Sequence, residues 1–236
     1  LPLHGIAVGS LLWFTFTAVS LAQVPFAIEV VDSQTGRGVP LVEVIDGGGV
    51  GHWTDNNGIV AFDNPALMNQ DVAFDFSSYG YTPSSQTLHP VHGGTGVVQL
   101  NRTNRAERLY RTTGANRYHH SVAVGRPVPI ANPISHANVE GQDSVQVVEH
   151  NGRLHWFWGD TLYEIGFGNF RTAGAVSDLP DSGGLDPNQG VELDYFELNG
   201  SAREMFPLPA PGPVWIDGLF EAQPPTGLLR MLPHFV

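Results

Sequence analysis

Hydrophobic and polar residues alternate along short stretches of this chain, and clusters of turn residues separate the stretches. A period of two over four to eight residues predicts β-strands, and no segment sustains the period of an amphipathic helix. The strands predicted in the first half span residues 26–32, 39–45, 59–62, 71–76 and 96–100. Those predicted in the second half span residues 145–148, 154–158, 215–222 and 228–232. The pattern therefore predicts an all-β protein.

The strongest local signal is a β-hairpin formed by residues 145–148 and 154–158. Between these two runs lies the Asn-Gly dipeptide 151–152, the preferred sequence of a type I′ turn because both central residues need a positive φ. Asp143 immediately precedes the first strand, and Asp160 immediately follows the second. The ends of these strands are therefore candidate positions for chemistry.

A second hairpin partly repeats the first. Residues 215–222 and 228–232 again combine an aspartate, Asp217, with two apolar strands and a turn that contains glycine. Repeated sheets of this size are typical of a β-propeller. Coincidental periodicity in a β-rich chain is the alternative that two copies leave open.

Composition narrows the possible functions. The 236 residues are enough for one or two domains, and 28 glycines with 18 prolines favour many turns. The formal net charge of −12 disfavours nucleic-acid partners and anionic membrane surfaces, since both require basic patches. With no cysteine, disulfides and thiolate-based metal or catalytic sites are excluded.

Residues 24–100 resemble a known family. Segment 31–42 reads VDSQTGRGVPLV, segment 54–62 reads TDNNGIVAF, and residues 79–81 read YGY. This pattern is similar to the carboxypeptidase regulatory-like domain. The resemblance implies a small antiparallel β-sandwich of the transthyretin-like kind, which accompanies another domain and is rarely catalytic. The polar cluster 55–58 is interpreted as a turn rather than a calcium loop, because the further oxygen ligands of an EF-hand are missing.

Residues 141–236 resemble the start of a five-bladed β-propeller of the family 43 glycoside hydrolases and their relatives. The similarity rests on QDSV at 142–145, the Asn-Gly turn, WFWGDT at 156–161 and GPVWIDG at 212–218. It implies that Asp143 is the general base and Asp217 the carboxylate that orients the substrate. The glutamate that serves the family as general acid has no counterpart here. Because about 95 residues cannot hold five four-stranded blades, we expect an incomplete propeller and a truncated sequence.

These residues predict a carbohydrate substrate or ligand. Glycoside cleavage generally needs two carboxylates beside the scissile bond, and Asp143 and Asp217 are the candidates. Trp158, Asp160 and Trp215 are predicted to bind the substrate, although core packing is the alternative for at least two of Trp156, Trp158 and Trp215. No cofactor or metal is predicted. The full-length protein is expected to be a glycosidase, or alternatively a non-catalytic β-protein that binds glycans or protein partners.

The N-terminal segment predicts secretion. Residues 5–21 are largely apolar, and Ser20-Leu21-Ala22 offers small residues for cleavage before Gln23, as in a secretory signal peptide. A membrane anchor is the alternative, but no cluster of Lys or Arg follows the apolar run. Residues 1–22 are therefore predicted to be a signal peptide, and the mature protein to be extracellular without a stable membrane anchor.

Residues 101–140 are predicted to link the two domains. Five of the eleven basic residues lie in this stretch, at positions 102, 105, 108, 111 and 117. A nucleic-acid-binding arm is disfavoured by the acidity of the whole chain, so a solvated linker or a strip that docks the domains is preferred. His119-His120 lacks a third ligand at a recognisable spacing, and no metal site is assigned to it.

Overall fold

The computed structural model describes residues 23–164, 171–209, 212, 214–225 and 227–235. In this part of the chain the structure is mostly β, with several sheets of which none closes into a barrel. The all-β prediction is confirmed at this level. No helix within the described ranges is both long and apolar enough to cross a membrane. The predicted signal peptide, residues 1–22, lies outside the described residues.

The first seven strands form two sheets. The strands are β1 (Phe26–Asp32), β2 (Glu43–Ile45), β3 (Gly51–Trp53), β4 (Ile59–Phe62), β5 (Val72–Ser77), β6 (Ser84–Leu88) and β7 (Thr95–Leu100). The order is β4-β1-β7 in one sheet and β3-β2-β5-β6 in the other. β7 pairs with β1 in parallel, so the prediction of a purely antiparallel unit is wrong. The reason is that the connection after β6 carries the chain across to the other sheet, where β7 enters in the direction of β1.

The strands of this half differ from the prediction in two further places. The strand predicted over residues 39–45 is reduced to β2, because Leu41 has a φ of 55° and the chain turns at Pro40 and Leu41. β6 was not predicted, since its sequence SSQTL is polar and has no hydrophobic alternation. It forms because its backbone pairs with β5, which is a non-local interaction.

The buried side chains of both sheets form one hydrophobic cluster. Phe62 of one sheet and Phe74 of the other pack with their ring centroids 5.3 Å apart. β5 alternates strictly between buried and exposed positions, as expected when one face of a sheet covers the core. All members of the cluster lie between Phe26 and Leu100. This stretch therefore supplies its own core.

The segment after Leu100 packs on the first two sheets instead of extending into solvent. Helix α1 (His119–Ala123) lies against the turn before β4. There the buried carboxylate of Asp55 accepts hydrogen bonds from the backbone N–H of Ser121 (2.7 Å), Asn57 (3.0 Å) and Ile59 (3.2 Å). Because Asp55 uses both oxygens on backbone N–H groups, the structure supports the interpretation of residues 55–58 as a turn.

An arginine from the same segment also joins it to the second half of the chain. Arg117 is 3% exposed, and its Nη1 donates to the backbone oxygens of Thr112 (3.0 Å) and Val191 (2.9 Å). Arg111 donates to the backbone oxygens of Ala115 and Asn116. Arg117 thus joins the segment to Val191 of the second half, whereas the Arg111 guanidinium bonds within the segment itself.

These contacts predict the behaviour of two truncated proteins. Residues 24–100 should melt cooperatively, because they contain the whole first core cluster. Residues 24–127 should melt at least ~5 °C higher, since they add the Ser121 N–H that donates to Asp55, the Arg111 contacts of Asn56 and the ion pair of Arg102 with buried Asp32. Calorimetry of both proteins tests this. Equal melting temperatures would contradict the proposed stabilisation by residues 101–127.

The remaining strands form four further small sheets. The strands are β8 (Val139–Gln142), β9 (Val145–His150), β10 (Arg153–Trp158), β11 (Thr161–Tyr163), β12 (Ala173–Asp178), β13 (Asp194–Tyr195), β14 (Glu197–Leu198), β15 (Ser201–Ala202), β16 (Ile216–Ala222) and β17 (Arg230–Phe235). The largest sheet has the order β13-β12-β10-β9, and the pairs β8–β11, β14–β15 and β16–β17 form the others. Every pairing in this half is antiparallel.

Both predicted hairpins are present. β9 and β10 pair from Val145–Trp158 to His150–Arg153, and Asn151 (φ 50°) and Gly152 (φ 76°) have the positive φ of a type I′ turn. β16 and β17 form the second hairpin. The two strand pairs predicted around residues 151–152 and 227 are therefore confirmed.

The two hairpins lie side by side with their first strands running in the same direction. At the start of β9 and β16, Trp215 Nε1 donates to Asp160 Oδ1 at 2.8 Å. At the other end, His150 Nδ1 lies 2.5 Å from Glu221 Oε1. β9 and β16 nevertheless belong to separate sheets. Side-chain contacts, not a shared backbone ladder, hold the hairpins together.

Candidate functional site

A cavity of about 320 Å³ opens where β9 and β16 begin. It is lined by Asp143, Ser144, Gln146, Gly159, Asp160, Trp215, Ile216 and Asp217. Four of the five predicted site residues, namely Asp143, Asp160, Trp215 and Asp217, are brought together here. Although these residues are up to 74 positions apart in sequence, the side-by-side hairpins place them around one opening.

Backbone hydrogen bonds fix the floor of this cavity. The Asp143 N–H donates to the Asp160 carbonyl at 3.2 Å, and the Gly159 N–H donates to the Asp143 carbonyl at 3.1 Å. The chain then turns into β9 at Ser144, which has a φ of 52°. A Cβ on Gly159 would lie 3.1 Å from that of Ser144, so this close approach favours glycine. Asp143 and Asp160 are thus held next to each other at the mouth of the hairpin.

Trp215 forms one wall of the cavity. Its Nε1 donates to the Asp160 carboxylate, which fixes the plane of the indole ring. The residue is still 40% exposed, so part of the ring remains open to a ligand. Asp160 therefore positions Trp215 in addition to lining the cavity itself.

Asp217 is paired with a histidine that the sequence reasoning missed. His234 Nδ1 on β17 lies 2.5 Å from Asp217 Oδ1 on β16, and both side chains are exposed. The pairing of β16 with β17 places His234 opposite Gly218, next to Asp217. Knowledge of this register would have identified His234 as a neighbour of Asp217. Ser144 and Gln146 were also missed, although their positions beside Asp143 were a usable signal.

Trp158 does not line the cavity, which corrects its predicted role in binding. It is 2% exposed, stacks on Trp156 with centroids 6.2 Å apart and contacts Tyr195. Trp156 is also buried and donates from Nε1 to Ser177 Oγ at 2.9 Å. Both rings lie on the face of the sheet β13-β12-β10-β9 that packs into a cluster of buried hydrophobic side chains. The alternative of core packing is therefore the correct one for Trp156 and Trp158.

The lining is acidic and polar. It contains three aspartates but neither arginine nor lysine, so it offers hydrogen-bond acceptors to hydroxyl groups. Within the described residues, no group of three or more His, Asp or Glu side chains is arranged to hold a metal ion. The lining side chains supply carboxylates, an amide, a hydroxyl and an indole ring.

Comparison of the chain with known protein families and with curated proteins found no match.

Proposed function

We propose that the cavity at the start of β9 and β16 is a carbohydrate-binding site in a secreted protein related in design to the family 43 glycoside hydrolases. The observation that carries the proposal is the convergence of Asp143, Asp160, Asp217 and the partly open Trp215 ring on one cavity. An aromatic face with polar groups at its edge is suited to a sugar, which presents both C–H surfaces and hydroxyl groups.

The architecture supports the same proposal. In a β-propeller, equivalent strands of successive blades surround a central axis, and β9 and β16 are first strands of repeated hairpins that run in the same direction. The sheet β13-β12-β10-β9 has the four antiparallel strands of one blade. For residues 24–100, two sheets around one core support a carboxypeptidase regulatory-like β-sandwich beside the binding domain.

Glycoside cleavage is the activity proposed for this site in the complete protein. Asp143 would act as general base, and Asp217, held by His234, would orient the sugar. The third acid among the described lining residues, Asp160, accepts a hydrogen bond from Trp215 Nε1 and positions that ring. The proposal therefore places the general acid on a residue outside the described lining. The alternative is a protein that binds glycans without cleaving them.

Binding can be tested with Trp215→Ala. Loss of the indole ring should weaken binding to a glycan by about tenfold or more, which corresponds to roughly 1.4 kcal/mol. Glycan-array screening of the wild-type protein would identify a ligand, and calorimetry would measure its affinity for both proteins. Trp53→Ala is the matched control, because Trp53 is 54% exposed on β3 of the first unit. Equal affinities for the wild type and Trp215→Ala, or no glycan bound at all, would contradict the proposal.

A further inference from the structure

A second cavity, of about 280 Å³, lies where three parts of the chain meet. Glu29 and Arg37 come from the first unit, Tyr110 and Arg126 from the segment around α1, and Asn188 from the loop before β13. This cleft, named here the junction cleft, is separate from the carbohydrate cavity and shares no residue with it. Its volume is just below the roughly 300–1,000 Å³ typical of small-molecule sites.

The junction cleft differs from the rest of this acidic protein in charge. Its lining contains two guanidinium groups and a single carboxylate, with a second carboxylate, that of Glu107, paired with Arg37; the cleft is therefore balanced in charge, whereas the chain as a whole has a net charge of −12. Arg126 Nη2 is 3.6 Å from Glu29 Oε2, and the two side chains are 45% and 34% exposed. This long, solvated pair leaves most of the Arg126 donors available, because a guanidinium has five N–H groups.

Arg37 is likewise only partly engaged. Among the described residues, its guanidinium contacts the carboxylate of Glu107, with Nη1 3.1 Å from Oε1. Its Nε is buried without a hydrogen-bond partner. The pair with Glu107 holds the guanidinium at the cleft.

Tyrosines and a glycine shape the opposite wall. Tyr118 is buried, and Tyr110 is held by a hydrogen bond from its hydroxyl to the Leu185 carbonyl at 3.2 Å. Gly190 has a φ of 79°, and a Cβ there would lie 2.8 Å from the Tyr118 hydroxyl, so a larger residue would push this wall out of place. The side chain of Asn188 is exposed at the rim.

We propose that the junction cleft binds a small organic oxyanion, a carboxylate or phosphate carried on an apolar or aromatic body. The Arg126 guanidinium would be the principal contact for the anionic group, since guanidinium N–H groups match the geometry of both anions. The charge of Arg37 is balanced by Glu107, so Arg37 contributes N–H donors rather than a second free charge. The tyrosine wall contacts the body of the ligand. The proposal stands independently of the carbohydrate site.

Calorimetry on the full chain tests it with three aromatic probes. Benzoate and phenyl phosphate carry the two anionic groups, and benzamide is the neutral analogue of benzoate. We expect at least one anion to bind about tenfold more tightly than benzamide, and the tighter anion identifies the class. If neither anion binds, or benzamide binds as tightly, the proposal is wrong.

Variants locate the binding. Arg126→Gln should weaken binding of the anion by about tenfold or more, and Arg230→Gln, an exposed arginine on β17, should not change it. Asn188→Asp places a negative charge at the rim without removing any contact of the fold, and it should also weaken binding. Unchanged affinity in both Arg126→Gln and Asn188→Asp would overturn the assignment to this cleft.

Discussion

Replacing Asp143 with Asn should lower cleavage of a bound glycan by about 10²–10⁴-fold, because the amide keeps the shape of the side chain but cannot accept a proton as a general base. Asp143 is exposed at the cavity, so the folded structure should barely change. Its backbone hydrogen bonds to Gly159 and Asp160 do not depend on the carboxylate, and the amide oxygen of Asn can still accept the Asp160 N–H that donates to Asp143 Oδ1 at 3.4 Å. The proposed loss is therefore specific to chemistry.

The measurement is the rate of cleavage of a glycan that the wild-type protein binds and cleaves, together with its affinity. Asp63→Asn is the control, since Asp63 is exposed in the first unit. Reduced cleavage with near-normal affinity supports Asp143 as the base. The outcome is informative only for the complete protein, which would carry the general acid. If the complete wild-type protein binds the glycan without cleaving it, the alternative of a binding protein is favoured, and full activity of Asp143→Asn would exclude Asp143 from catalysis.

Acidification from pH 7 to pH 4 should destabilise the protein by up to about 3 kcal/mol through His120 alone. Burial, and secondarily the neighbouring His119 and His52, lower the pKa of His120 from 6.5 to about 4. The His119 and His120 ring centroids are 3.7 Å apart. This pKa difference between the unfolded and folded states corresponds to about 3 kcal/mol.

The direction follows from proton binding. Between pH 6.5 and about 4 the unfolded chain binds more protons at this histidine than the folded protein, so stability rises with pH across this window. Asp55 acts in the opposite direction. Burial raises its pKa, so its contribution to stability decreases as pH rises through the folded-state pKa. The contribution of His120 must therefore be isolated with a variant.

The test compares free energies of unfolding from pH 4 to pH 7 for the wild type and His120→Gln. The variant, which has no titrating group at this position, should lose up to about 3 kcal/mol less on acidification. His92→Gln, at an exposed position of the first unit, should behave like the wild type. Identical acid dependence of the wild type and His120→Gln would contradict this prediction.

Much of the secondary structure follows from local patterns. Short apolar runs bounded by turn residues predicted β1, β4, β5 and β7 close to their observed bounds. β5 alternates as expected for a strand that covers a core on one face, whereas β1 is buried along nearly its whole length. The Asn-Gly turn at residues 151–152 follows from the preference of these residues for positive φ. β2 and β6 were not predictable in the same way, since a turn at Leu41 shortens the first and non-local pairing forms the second.

The candidate site was only partly accessible from the sequence. Asp143 and Asp160 flank one hairpin, so their proximity follows from local structure. Trp215 and Asp217 could be chosen as chemically suitable, but their approach to Asp143 depends on two hairpins packing side by side. The burial of Trp158 was also a non-local outcome, since its ring lies in a cluster with Ala175 of β12, Tyr195 of β13 and residues of the loop before β13.

The sequence by itself therefore determined the β class, the two hairpins and the residue types available for chemistry. These properties depend on backbone preferences and hydrophobic alternation, which act over a few residues. The tertiary structure alone decided that β7 runs parallel to β1, that the Asp55 carboxylate accepts a hydrogen bond from α1, and that His234 pairs with Asp217. Each depends on groups that are distant in the chain and meet only when burial of the cores brings their strands and loops together.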